Sequence, residues 1–332
     1  MRRSSPRIIA DRWARTLRYL RVSVTDRCNL RCRYCMPPGG IPLLPHADIL
    51  RYEEIAAVVS AAVGLGVTSV RITGGEPLVR LGLADLVRLL GEVAGLDDLS
   101  MTTNGILLAA HAHALARAGL GRVNISLDSL DPAEYADITR GGDVSAVLEG
   151  LQAALAAGLL PVKVNAVMLG QRDDDELRRW MEPFIALARR LPVHVRFIEH
   201  MPLAAAATTA RGPLVADTLA SLGATAADGM VAGAGPARYW RLDGAPGTVG
   251  LIAPMSEPFC GGCNRLRLTA RGEVRSCLFA APSVDLRPWL RPRVDAAAVA
   301  AALSRCWLAK RAGREGSMPG ASAHASMCQV GG

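Results

Sequence analysis

The chain has 332 residues, enough for one large domain or for a core of roughly 200 residues with a smaller module beside it. Half of the residues are hydrophobic, yet no apolar run reaches the ~18–20 residues of a membrane-spanning helix. A net charge of +8 asks for an anionic partner (nucleic acid, a membrane surface or a phosphorylated small molecule), or reflects a preference for arginine, since Lys163 and Lys310 are the only lysines.

Residues 1–17 carry Arg2, Arg3, Arg7, Arg12 and Arg15 without the apolar stretch of a secretory signal, and read as an N-terminal extension. With no sign of export, a cytoplasmic location is expected. Eight cysteines then point to metal or redox chemistry in a reducing compartment rather than to disulfides.

From Tyr19 onward, short β-branched runs alternate with helical stretches. The strands are expected at Tyr19–Thr25, Val67–Thr73, Leu99–Asn104, Arg122–Asp128, Val162–Val167 and Val193–Ile198. Helices are expected near Glu53–Val63, Leu78–Val93, Leu107–Ala118, Val144–Ala157 and Asp174–Arg189. This alternation predicts an α/β fold with a parallel sheet over residues 18–200. A connecting segment, 201–236, holds one helix near Pro213–Leu222. A small C-terminal module, 237–332, is expected to have a hairpin near Leu266–Leu278 turning at Arg271–Gly272, and a helix near Asp295–Leu303.

Period 2 along the strands favours a partial (β/α)6 barrel of TIM type over a doubly wound layer. A doubly wound strand is apolar on both faces. Here Arg21, Ser23 and Thr25 oppose Val22 and Val24; Ser69, Arg71 and Thr73 oppose Val70 and Ile72. Asn124, Ser126 and Asp128 oppose Val123, Ile125 and Leu127, while Lys163 and Asn165 oppose Val162 and Val164. One face can pack on helices while the other lines a wet lumen holding Arg21, Arg71, Lys163 and Arg196. Four cations in one cavity repel unless an anion lies among them, so a polyphosphate ligand is the sharper reading.

Cys28, Cys32 and Cys35 form C-x3-C-x2-C directly after the first strand. A structural zinc takes four protein ligands. A [4Fe–4S] cluster held by three thiolates keeps one iron open to a small molecule. The end of a barrel strand is also where such folds keep their chemistry. Asp26-Arg27-Cys28-Asn29-Leu30-Arg31-Cys32-Arg33-Tyr34-Cys35-Met36-Pro37 resembles the signature of radical S-adenosylmethionine (SAM) enzymes, and Thr73-Gly74-Gly75-Glu76-Pro77 is a second mark of that group. The resemblance implies that the open iron chelates SAM and that an electron from the cluster releases a 5′-deoxyadenosyl radical. Tyr34 would lie on the adenine.

Cys260, Cys263 and Cys277 form C-x2-C-x13-C, which by itself fits a zinc ribbon short of one ligand or a second three-cysteine cluster. Cys306 and Cys328 read as buried or spare thiols. The segment Ser256–Leu268, continuing to Cys277-Leu278, resembles the MoaA-type GTP 3′,8-cyclase family, which opens molybdenum cofactor biosynthesis. Leu20–Cys28, Thr102-Thr103-Asn104-Gly105, Asn124–Asp128, Arg196-Phe197-Ile198-Glu199 and the terminal Gly331-Gly332 carry the same likeness.

That resemblance implies two [4Fe–4S] clusters, on Cys28/Cys32/Cys35 and on Cys260/Cys263/Cys277. SAM contacts would be Tyr34, Gly75, Ser126 and Met201. GTP contacts would be Arg21, Arg71, Thr102, Lys163 and Arg265, Leu266 and Arg267, with catalytic roles for the first cysteine triad, Arg196, Arg265 and Arg267. The family's radical removes hydrogen from ribose C3′, the sugar radical attacks guanine C8, and reduction completes 3′,8-cyclo-7,8-dihydro-GTP. A homodimer, a flavodoxin or ferredoxin as reductant, and a functional link to cyclic pyranopterin monophosphate synthase are also implied. Neither nucleic acid nor a membrane is an expected partner. The Gly331-Gly332 tail would reach into the active site.

Two departures stand out. Ser69 occupies a position where many members carry lysine, which is expected to soften phosphate affinity. Pro202–Ala210 lacks the family's acidic and aromatic residues. Two other readings remain: a radical SAM peptide-modifying enzyme with an auxiliary cluster, and a zinc-stabilised basic module binding nucleic acid. The second would need aromatics for stacking, which are only 4% of the chain.

Overall fold

The computed structural model describes residues 8–169, 172–201, 211–227, 231, 235–313 and 327–330. The expected tail insertion by Gly331-Gly332 and the atypical segment 202–210 lie outside the described residues.

In chain order the elements begin β1 (Tyr19–Ser23), α1 (Tyr52–Gly64), β2 (Ser69–Thr73), α2 (Leu83–Gly91), β3 (Asp98–Thr103) and α3 (Leu108–Arg117). There follow β4 (Arg122–Ser126), α4 (Pro132–Thr139), α5 (Val144–Ala156), β5 (Val162–Met168), α6 (Asp174–Arg190) and β6 (Val193–Glu199). The remainder is α7 (Gly212–Ser221), β7 (Thr225–Ala226), β8 (Arg238–Arg241), β9 (Thr248–Ile252), β10 (Arg265–Leu268), β11 (Glu273–Arg275), β12 (Val284–Asp285), α8 (Ala296–Leu308) and α9 (Met327–Val330).

Strands β1 to β6 pair in parallel in sequence order, giving the expected partial barrel. The last third of the chain extends both ends of that sheet. β10 adds parallel to β1, and β9 adds parallel to β6, for an order β12-β11-β10-β1-β2-β3-β4-β5-β6-β9-β8-β7. The C-terminal strands therefore share the barrel's hydrogen-bond network. The β8–β9 pair was not foreseen, because Tyr239, Trp240 and Val249 are diluted by glycine and alanine.

Alternation sorts the two faces. Leu20, Val22, Val70, Ile72, Met101, Val123, Ile125, Val164, Val195 and Phe197 are fully buried under the helices. Burying one such side chain contributes ~1.5–3 kcal/mol, so this face fixes the strand register. The opposite face carries the row Arg267–Arg21–Arg71–Ser100–Arg122 across five neighbouring strands.

Two local differences have simple causes. The expected helix over 78–93 is a short turn at Pro77–Val79 followed by α2, because Gly82 at φ +70° breaks it. Helix α4 was missed although its signal was present. Asp131 caps the amide of Glu134 and Pro132 opens the first turn.

Candidate active site

The first cysteine loop leaves β1 and is pinned from two sides. Beneath it, α4 ends in Arg140 in the left-handed conformation. The amides of Arg31 and Arg33 donate to the carbonyls of Thr139 and Ile138. Arg140 Nη1 returns bonds to the carbonyls of Arg31 (2.7 Å) and Met36 (2.8 Å). From the side, Gly75 N donates to Thr25 O and Glu76 N to Arg27 O, both at 2.8 Å. A Cβ on Gly75 would stand 2.3 Å from Arg27 O, and one on Gly74 2.7 Å from Thr25 O. The glycine pair is thus required by close backbone packing against the strand that leads into Cys28. Glu76 lies fully buried, accepting from Leu78 N, Thr103 Oγ1 and Asn104 N. Burial pushes its carboxyl up to about 7 against those three bonds.

Burial likewise pushes Cys28 up to about 11 and Cys32 up to about 12. As bare thiols they favour the protonated form, and a cationic metal centre would hold them as thiolates. Among the described residues, no three His, Cys, Asp or Glu side chains converge as the ligands of a single ion must. A [4Fe–4S] cluster does not ask this of them, because each thiolate binds a separate iron. Of the two cysteines outside the triads, Cys306 is buried on α8, and buried Cys328 is hydrogen-bonded to Cys35.

The second triad sits at the other end of the lumen. Asn264 O accepts from Arg18 N and Tyr19 N, which puts Cys263 level with the start of β1. Cys28 follows the end of that strand, whose five residues span ~16 Å. Spacing along the chain gave no hint of this opposition, which follows from β10 pairing in parallel with β1.

Between the triads lies the cationic lumen. Arg21, Arg71, Lys163, Arg196 and Arg267 share it, with Tyr19 under Arg71 and Arg265 at 5.4 and 5.6 Å. Burial first, then Arg196 and Arg122 among its neighbours, drives Arg71 down to about 10. Burial and the charges of Arg196, Arg122 and Arg71 take Lys163 down to about 7. Thr102 Oγ1, Asn165 Oδ1 and Arg196 Nε are buried with no partner among the described residues. Such groups are costly unless a ligand completes them. Leu266 differs from its neighbours: it pairs with Leu20 and packs in the core, so only its backbone is near the lumen. Ser126 stands at the end of β4 and Met201 just beyond β6.

Glu199, quoted only as part of a motif, ties the two halves of the sheet together. It accepts from Gly212 N and Ser256 Oγ through one oxygen and from Met255 N and Ser256 N through the other. Ser256 begins the segment that carries Cys260 and Cys263.

A parallel α/β barrel with a three-thiol loop at the end of its first strand defines a radical SAM enzyme. In agreement, residues 22–183 match the radical SAM superfamily and residues 193–315 match the Molybdenum Cofactor Synthesis C family. The chain belongs to the GTP 3′,8-cyclase family. It is 47% identical to the GTP 3′,8-cyclase of Pelotomaculum thermopropionicum over 97% of this chain and 99% of that one. It is 48% identical to that of Moorella thermoacetica over 87% and 90% of the two chains. Among solved structures, Streptococcus suis SuiB bound to S-adenosylmethionine shares the fold at 14% identity and a TM-score of 0.58. The match covers 79% of this chain and 60% of SuiB. SuiB bound to precursor peptide SuiA gives a TM-score of 0.60, with 65% of that chain covered.

Proposed function

We propose that this enzyme converts GTP into 3′,8-cyclo-7,8-dihydro-GTP, the first step of molybdenum cofactor biosynthesis. The observation that carries the reading is the buried cationic row lying between two cysteine triads at opposite ends of one lumen. When bound, the first cluster with SAM supplies a 5′-deoxyadenosyl radical at one end, and the second cluster supplies an open iron for the purine at the other.

The chain's own residues do the rest. Arg21, Arg71, Lys163, Arg265 and Arg267 bind the triphosphate, whose charge offsets their mutual repulsion. Thr102 and Arg196 offer unmatched donors to the same ligand. Tyr34, Gly75, Ser126 and Met201 line the SAM side, with Leu266 contributing its backbone to the nucleotide side. Residues 18–200 form the radical machinery, 201–236 a connection, and 237–332 the substrate module. A peptide substrate would give this row of cations no work.

We place the enzyme in the cytoplasm as a homodimer, fed electrons by a flavodoxin or ferredoxin and passing its product to cyclic pyranopterin monophosphate synthase. No helix among the described residues is long and apolar enough to cross a membrane. The test is an anaerobic assay with GTP, SAM and dithionite. The expected result is 5′-deoxyadenosine formed in proportion to a cyclised nucleotide; deoxyadenosine with no nucleotide product overturns the substrate assignment.

A further inference from the structure

The chain has two lysines, and both are buried: Lys163 in the lumen and Lys310, only 3% exposed, just past α8. Lys310 Nζ donates to Arg265 O at 3.0 Å and to Ser276 O. It also lies within hydrogen-bond reach of the Cys263 thiol, and its ammonium stands 5.5 Å from the Trp307 ring. Arg265 is two residues after Cys263, and Ser276 immediately precedes Cys277. One ammonium therefore joins the two chain segments that present two of the three cysteines of the second triad.

A second cation holds the third. Arg15 Nη1 donates to Cys260 O at 3.0 Å, while Arg15 Nη2 donates to Arg311 O at 2.8 Å. The two cations differ in one respect. Arg15 has its counter-ion in buried Asp11, at 2.6 Å. No carboxylate pairs with Lys310 among the described residues; its oxygen partners are neutral carbonyls. A buried ammonium without a counter-charge is unfavourable. The group that would balance it is an anionic one at the cysteines, and a thiolate-held iron–sulfur cluster is such a group.

We propose that Lys310 is a positioning residue of the second cluster, bracing Cys263 and Cys277 and supplying the positive charge that raises that cluster's reduction potential. The proposal rests on the assignment of Cys260, Cys263 and Cys277 as cluster ligands. Hydrogen bonds and charge at the sulfurs are among the terms that set such potentials. Removing the charge makes reduction harder.

The test compares anaerobic wild-type holoenzyme with Lys310→Met, Lys310→Gln and Lys310→Arg by iron analysis and an EPR-monitored redox titration. The first cluster, recognised by its response to added SAM, is the internal control. Wild-type protein holding the iron of one cluster would instead remove the assignment on which the proposal rests, and this is seen before any variant is made. In Lys310→Gln, which keeps an N–H donor group but no charge, the reduced-to-oxidised ratio of the second cluster at fixed potential should fall about tenfold, ~59 mV for one electron. The first cluster should not move, and Lys310→Arg should restore most of the ratio. Lys310→Met should in addition lose second-cluster iron. If the neutral variants do not fold while Lys310→Arg does with both clusters, a cation is what the site requires and the proposal stands. Neutral variants with wild-type potentials, or equal failure of all three variants, overturn it.

Discussion

The Tyr34 hydroxyl donates a 2.7 Å hydrogen bond to Asp128 Oδ2, joining the first cysteine loop to the end of β4. The other oxygen of Asp128 accepts from Val167 N at 2.9 Å, so one carboxylate spans the loop, β4 and β5. Asp128→Ala leaves a buried hydroxyl and a buried amide without an acceptor, each costing ~1–3 kcal/mol. The expected outcome is a lower melting temperature and faster loss of iron from the first cluster, with second-cluster iron retained. Iron counts during dilution into chelator measure this, and equal loss from both clusters would refute a local role.

The opposite ends of the lumen predict separable defects. Alanine at Cys28, Cys32 or Cys35 should abolish 5′-deoxyadenosine formation outright. Alanine at Cys260, Cys263 or Cys277 should halve the iron content, keep SAM cleavage by the first cluster, and stop nucleotide cyclisation. Cys306→Ala, a buried thiol on α8, should cost stability through lost packing while both clusters remain. Product analysis by mass spectrometry separates the cases. Loss of SAM cleavage in all six cysteine variants would mean that the two centres are not independent.

Much of this site was legible in the residue order because its chemistry follows local patterns. The cysteine triads are short-range signals, and the period-2 placement of Arg21, Arg71 and Lys163 gave the lumen before any strand pairing was known. What stayed hidden depends on partners far apart in the chain. Nothing near Cys260 states that β10 lies parallel to β1, so the position of the second triad across the lumen could not be read. Gly75 was expected to contact SAM, while the backbone of Thr25 and Arg27 pressing on Gly74 and Gly75 is a tertiary fact. Lys310 and Arg15 are 295 residues apart in sequence, and only the fold brings them to the same module.

Glu199 gathers four donors onto one carboxylate, with bonds of 2.6–2.9 Å, and these hold its carboxyl below the usual range in spite of its burial. In Glu199→Gln one acceptor oxygen becomes an NH2 group facing two of those four donors. The expected loss is ~2–4 kcal/mol. Because those donors lie on α7 and on the segment leading to Cys260, GTP affinity should fall while SAM affinity is kept. Calorimetric titration with each ligand checks the split; equal weakening of both would contradict it.

Lys163 supplies the pH dependence. Burial first, and then the charges of Arg196, Arg122 and Arg71, bring it from the ordinary 10.5 down to about 7. Between pH 7 and 10.5 the unfolded chain therefore binds more protons at this residue than the folded one, so the GTP-free protein should gain stability as pH rises through that window. Lys163→Met should remove that gain and stabilise the GTP-free protein at pH 7 by up to about 4 kcal/mol. A bound triphosphate reverses the situation, because its charge favours the protonated amine. At pH 8 binding should then take up a proton, and affinity should weaken by up to about tenfold per pH unit above 7. Titration calorimetry in two buffers of different ionisation enthalpy reads the proton directly. An uptake that persists in Lys163→Met would assign the proton to another group, and none at all in the wild-type enzyme would mean that Lys163 is already charged before the nucleotide arrives.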